Sequence, residues 1–267
     1  MDNNVVFAFL LTLFAGLSTG FGSLLALFAK KTNPKFLSFS LGFSAGVMIY
    51  VSMVEILEKS KDALVTEYGL KTGSWASVIS FFAGIAVIGI IDKLVPEEDN
   101  PHEFHHEGEQ KCVPCEKSKL LRSGMFTALA IAIHNFPEGI ATFVAALSDT
   151  TIAIPVAVAI AIHNIPEGIA VSVPVYYATG SRRKAFWYSF LSGLSEPVGA
   201  LIAYLILMPF LNNALFGIIF GVVAGIMVYI SLDELLPSAR EYGEHHVSMI
   251  GLVAGMGLMA VSLLLFI

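Results

Sequence analysis

Eight stretches of this chain stay apolar for about 20 residues or more, long enough to cross the hydrocarbon core of a bilayer as helices. They run roughly over 5–29, 36–57, 74–94, 120–147, 151–178, 185–208, 213–236 and 247–267. Together they take up most of the 267 residues and leave no room for a separate soluble domain. The chain is 56% hydrophobic and only 13% charged, far from the quarter of charged residues usual in soluble domains. The expected fold is therefore all-α and polytopic, one membrane domain over 1–267 with a single long loop, about 95–119, between the third and fourth spans.

Positive charge sets the expected orientation, because loops rich in Lys and Arg stay in the cytoplasm. With eight spans, the loops after spans one, three, five and seven share a side and hold twelve of the 15 Lys and Arg; only Lys59, Lys61 and Lys71 lie on the other. Both termini are then expected outside. The run after Met1-Asp2-Asn3-Asn4 has no basic region before it and no small-residue cleavage site, so it reads as a retained first helix rather than a signal peptide. A net charge of −6 and the absence of a basic surface give no reason to expect nucleic acid.

The chain also repeats itself. Ile131–Ala141, reading Ile-Ala-Ile-His-Asn-Phe-Pro-Glu-Gly-Ile-Ala, returns 29 residues later as Ile160–Ala170 with one substitution. Gly42–Leu57 in the second span aligns without gaps to Gly221–Leu236 in the seventh, pairing Met48 with Met227, Ser52 with Ser231 and Glu55 with Glu234. Ala15–Gly22 in the first span aligns with Ser192–Gly199 in the sixth, which pairs Thr19 with Glu196. Odd and even spans cross in opposite directions, so each pair is inverted. The expected arrangement is 3+2+3: three helices, a central inverted pair, and three helices related to the first three. Inverted repeats around a midplane site are a signature of secondary transporters. Glycines four residues apart (Gly16/Gly20, Gly42/Gly46, Gly221/Gly225, Gly251/Gly255) are expected to let helices approach closely and carry no chemistry.

Ionisable groups at membrane depth are costly and mark function by default. On a helix, His134, Asn135 and Glu138 crowd one face, as do His163, Asn164 and Glu167. The turn at Ser148-Asp149-Thr150 is short, so the two motifs are expected side by side at similar depth. Pro137 and Pro166 each remove a backbone donor and free a carbonyl near Ile133 and Ile162, which suits an ion path through loosened backbone. Imidazole with carboxylate suits zinc, iron(II), manganese, cobalt or cadmium, whereas an oxygen-only cage would suit magnesium or calcium. Six candidate ligands exceed the needs of one tetrahedral zinc, so two ions sharing Glu138 and Glu167 is the expectation. Glu196, followed by Pro197 in the sixth span, is expected to add a further ligand.

The paired His-Asn-x-Pro-Glu-Gly motifs resemble those of the ZIP family (Zrt-, Irt-like metal transporters), and especially its bacterial ZupT-like branch. The resemblance covers the whole chain: eight spans, a histidine-bearing loop between the third and fourth, and the acid in the sixth. It implies uptake of divalent metal into the cytoplasm across the cell (inner) membrane, of zinc above all and of iron(II), manganese, cobalt or cadmium in the broad-specificity branch. It implies a binuclear centre with His134, Glu138, His163 and Glu167 around one ion, and Asn135, Asn164 and Glu196 joining the shared glutamates around the other. It also implies an elevator-like movement of helices 1, 4, 5 and 6 against 2, 3, 7 and 8, within a homodimer. No catalytic cofactor is expected, and the partners are metal ions and the bilayer.

Glu55 near the outer end of the second span and its repeat mate Glu234, with Asp233, near the inner end of the seventh, would place carboxylates at the two mouths of a path. Met48 would offer a soft extra ligand, since the family can use the second helix at this depth. In the long loop, His102, His105, His106, Cys112 and Cys115 form a candidate regulatory metal site; the bland reading is a solvated acidic linker, and a reducing compartment argues against a disulfide there. An intramembrane metallohydrolase or protease needs a metal with an open water position and a placed base, but a His-Glu-x-x-His motif is absent, and so is a phosphate-binding loop for ATP. A metal-selective channel would use the same ligands as a carrier.

Overall fold

The computed structural model describes residues 3–28, 34–94, 113–148, 150–210, 212–241 and 245–264. The first span is α1 (Asn3–Phe28). The second is α2 (Pro34–Val51), a π-helical turn (Ser52–Ile56) and α3 (Leu57–Tyr68). Then come α4 (Leu70–Leu94), α5 (Val113–Ser148) and α6 (Thr150–Thr179). The sixth span divides into α7 (Arg182–Gly193) and α8 (Ser195–Ile202), with a π turn after it. The seventh is α9 (Asn213–Ile230), a π turn (Ser231–Leu235) and α10 (Leu236–Glu241); α11 (His245–Leu264) is the last. Among the described residues there is no strand. Among the described residues, seven helical stretches are long and apolar enough to cross a membrane, and the 30-residue α6 fills the fifth expected span.

Burial is inverted relative to a soluble protein. His134, Asn135, Glu138, Asn164, Glu167 and Glu196 are all buried, while Trp75, Ile79, Phe82 and Ile90 stand exposed along α4. Large exposed apolar surfaces are rare on soluble monomers, but lipid-facing helices require them, with polar groups turned to the interior. The chain is an all-helical polytopic membrane protein.

Small residues hold the bundle together, as the four-residue glycine spacing predicts. A Cβ on Gly42 or Gly46 of α2 would run into the backbone of Ser248 or Leu252 in α11, and one on Gly251 or Gly255 into that of Phe39 or Phe43 in α2. Gly84 of α4 and Gly225 of α9 meet Val222 and Phe81 in the same reciprocal way. Around the central motifs, Gly139 of α5 lies on the Glu196 backbone and Gly199 of α8 on that of Phe136; Gly168 of α6 lies on Thr19 and Gly22 of α1 on Ile165. Without a hydrophobic drive between helices in lipid, such close backbone approach is what associates them.

Three boundaries differ from the sequence expectation. The second span does not stop at 57 but continues to Tyr68. Ser60 and Leu64 are buried, and Ser60 Oγ donates to Gly217 O across 2.7 Å and lies 3.0 Å from Ser77 Oγ. Packing on α4 and α9 therefore extends a helix that hydropathy would end. Gly69, at φ 77°, then turns the chain into α4. The long loop is shorter at its far end, because α5 already begins at Val113. The sixth span turns at Leu194: Pro197 has no N–H to give the Gly193 carbonyl, and that carbonyl instead faces Gly16 of α1. By contrast, the helical assignment runs unbroken through Pro137 and Pro166.

Candidate metal centre

α5 and α6 place the two motifs against each other in the middle of the bundle. Ligand atoms of His134, Glu138 and Glu167 all lie within 4.8 Å of one another, and all three residues are buried. His134 Nε2 lies 2.9 Å from Glu167 Oε1. Asn135 turns its amide toward Ile131 O, His134 Nε2 and Glu167 Oε2; with nitrogen on that side it donates to them across 3.1, 2.8 and 3.2 Å. His134 Nε2 cannot both donate to Glu167 and accept from Asn135. The group therefore has more converging lone pairs than protons to share among them. An imidazole nitrogen and carboxylate oxygens gathered within 4.8 Å are part of the donor set of a divalent transition ion.

Beside it lies a second polar group. Asn164 donates to Ala15 O across 2.9 Å and to Glu196 Oε1. Glu196 Oε2 and Asn164 Oδ1 are buried with no hydrogen-bond partner among the described residues. Buried polar atoms are nearly always satisfied, so two orphaned oxygens side by side call for an explanation, and an ion is among the standard ones. Ser189 Oγ ties the surrounding backbone by reaching Thr19 O and Gly168 O, 3.2 Å from each.

The expected residues thus fall into distinct places. His134, Asn135, Glu138 and Glu167 come together, with Asn164 and Glu196 adjoining. His163 sits on the matching turn of α6, but its side chain lies outside the described residues. Met48 is fully buried in the apolar core with Met227 and Ile226. Asp233 and Glu234 are half-buried in the π turn after α9. His102, His105, His106 and Cys112 lie outside the described residues, and Cys115 falls in α5 with its side chain likewise outside them.

Glu55 lies in the π turn after α2 and pairs with Lys59, 2.5 Å away. A cavity lined mostly by apolar side chains joins Glu138 to this pair. Sequence reasoning passed over Lys59 and the Ala15 carbonyl. The first had a signal in its four-residue spacing from Glu55; the second, a backbone group, had none.

The family model for the ZIP zinc transporter matches residues 92–263. Curated relatives cover nearly the whole chain. A protein of Clostridium perfringens named zinc transporter ZupT is 62% identical, covering 99% of this chain and 98% of its own length. One of the same name from Oceanobacillus iheyensis is 64% identical, covering 98% and 99%. Another from Streptococcus mutans is 61% identical over the full length of both. Similarity of that extent, with the buried His/Glu group in the middle of it, places this chain in the ZIP family, whose members are transporters and not enzymes.

Proposed function

We propose that this protein carries zinc into the cytoplasm across the cell (inner) membrane by alternating access, and that iron(II), manganese, cobalt and cadmium can follow the same route. The observation that carries the reading is the convergence of His134, Glu138 and Glu167 within 4.8 Å, buried between two apolar helices. The zinc transporters to which the chain is similar support zinc as the cargo.

In this reading one ion is held by His134, Glu138, His163 and Glu167. A second takes Asn135, Asn164 and Glu196 with the shared glutamates. The orphaned oxygens of Asn164 and Glu196 support that second place. The eight spans form the 3+2+3 inverted repeat, with both termini outside. Support comes from the paired π turns: Ser52 Oγ donates to Met48 O across 2.6 Å, and its repeat mate Ser231 Oγ to Met227 O across 2.7 Å. The reciprocal glycine contacts pair α1 with α6 and α5 with α8, and separately α2 with α11 and α4 with α9. Those two groups are the ones an elevator movement would slide past each other. The carrier works as a homodimer, with Glu55 collecting ions outside and Asp233 and Glu234 receiving them inside.

The test is influx of zinc, cadmium and iron(II) into liposomes holding a metal-sensitive dye, compared with a Glu138→Ala, Glu167→Ala double variant. Saturable influx that the variant abolishes is the expected result, and it ranks the metals. Stoichiometric metal binding without influx of any ion would overturn the carrier reading.

A further inference from the structure

Among the helices that line the cavity leading to Glu138, three present residues at four-residue spacing. Val51, Glu55 and Lys59 follow one another at four-residue intervals along the second span, Glu138 and Thr142 do so on α5, and Met259 and Leu263 on α11. In the proposed topology these three spans run in the same direction, from inside to outside. The Val51 and Met259 ends therefore lie at the depth of Glu138, and the Lys59 and Leu263 ends lie outward. Eight residues of helix separate Val51 from Lys59, about 12 Å of rise. The charged groups lining this route are Glu138 at its inner end and Glu55 with Lys59 at its mouth; the other lining side chains are apolar apart from Thr142.

Glu55 and Lys59 form an ion pair with each side chain about a third exposed (33% and 34%), so the pair meets water as well as the cavity. A dication arriving at this mouth meets a carboxylate already held by an ammonium on the same helix. The repeat places Glu234 opposite Glu55, but the residue four positions on is Ser238 where the outer half has Lys59. The paired π turns show that the two segments are otherwise locally alike.

We propose that Lys59 is a tethered competitor for Glu55: its ammonium neutralises the outer carboxylate, must be displaced by the entering dication, and so sets the apparent affinity for metal on that side only. The inference rests on the transport reading above. An apolar-walled cleft focuses the field of the few charges that line it, so replacing a lysine beside the route changes the local concentration of dications more than its distance from the central ligands suggests. Lys59 is here a specificity-setting residue acting through Glu55, with no contact to the central ions.

The experiment is initial zinc influx against zinc concentration in proteoliposomes, for the wild type, Lys59→Gln, Lys59→Arg and Glu55→Gln, at low and high ionic strength. Lys59→Gln should lower KM by roughly threefold to tenfold at low salt with kcat nearly unchanged, and the gain should shrink at high salt. Lys59→Arg, which keeps the charge, should keep the wild-type KM, and Glu55→Gln should raise it. A Lys59→Gln curve superimposed on that of a working wild type overturns this proposal alone. So does a fall in kcat with KM unchanged, the mark of a helix brace. A wild type without saturable influx overturns the transport reading and this proposal with it.

Discussion

The two copies of the His-Asn-x-Pro-Glu-Gly motif share sequence and helical setting, and both bury their asparagine and glutamate; they differ in what surrounds them. In the α5 copy, His134 and Asn135 turn toward Glu167 on the neighbouring helix, and Glu138 reaches the wall of the cavity. In the α6 copy, Glu167 takes His134, while Asn164 turns the other way, to Ala15 O and Glu196. The backbone frame is the same for both: Gly139 rests on the residue-196 backbone, and Gly168 on that of its repeat mate, residue 19. The side chain at that shared place is glutamate in one half and threonine in the other. Duplication supplies a symmetric frame, and the unmatched pair Thr19 and Glu196 makes its chemistry lopsided. Glu138 then faces the cavity, and Glu167 anchors the interior.

The largest test of that difference is to remove each carboxylate separately. Glu167→Gln should abolish zinc influx. It removes the charge that His134 and Asn135 converge on, and its cost in zinc affinity should exceed the roughly 10- to 100-fold that loss of an outer partner costs. Glu138→Gln keeps an oxygen donor at the cavity wall and should leave measurable influx with a raised KM. Equal loss in both variants would make the motifs interchangeable and remove the comparison. Influx kinetics and zinc titration on the purified variants give the two numbers needed.

A smaller effect separates Glu196 from Thr19. In the proposed two-ion reading, Glu196→Gln should reduce bound zinc from two ions to one per chain, with about tenfold weaker affinity in the ion that remains. Thr19→Val should leave stoichiometry and influx alone. The Thr19 hydroxyl is buried without a hydrogen-bond partner among the described residues, and replacing such a group with an apolar one of the same shape is nearly neutral. Two ions in Glu196→Gln, counted by equilibrium dialysis, would remove Glu196 from the centre and leave Asn164 as its only link to the α6 motif.

Much of this arrangement is legible in the sequence because lipid makes it so. Apolar length gives the spans, and a polar residue inside an apolar run has to face the interior, so His134, Glu138, Glu167 and Glu196 announce themselves. The glycine pairs are legible for the same reason, since in a membrane small residues are the contact. The ends of helices are not legible from hydropathy. Lys59 and Lys61 mark the end of an apolar run, yet the helix continues because Ser60 and Leu64 find partners on α4 and α9. The π turns have only Ser52 and Ser231 as a signal, and serine sits in ordinary helices too. Nor does the pattern tell which way each asparagine faces: Asn135 and Asn164 occupy identical positions in the motif, and their neighbours decide. Met48, singled out for its sulfur, lies in the same apolar cluster as its repeat mate Met227.

The smallest expected effect concerns the segment between the third and fourth spans. The run from Glu97 to Cys112, with its three histidines, lies outside the described residues, and the described side-chain packing of the fourth span includes Leu121 and Gly124. Leu121 packs on Val175, Tyr176 and Ala185, and a Cβ on Gly124 would press on Val175. Deleting 97–116 leaves these contacts in place. The stability change should stay within about 0.5 kcal/mol, as for surface changes away from packed features, and the initial rate of zinc influx should hold within about twofold, in keeping with that small change. A deletion carried through Leu121 should lower the unfolding temperature, because it cuts into that packing. If the loop regulates the carrier through its histidines and thiols, the 97–116 deletion should bind less zinc in total and lose the slowing of influx as zinc accumulates inside the liposome. Unchanged feedback would reduce the segment to a solvated linker, and complete loss of influx in a normally inserted variant would put it on the path of the ion.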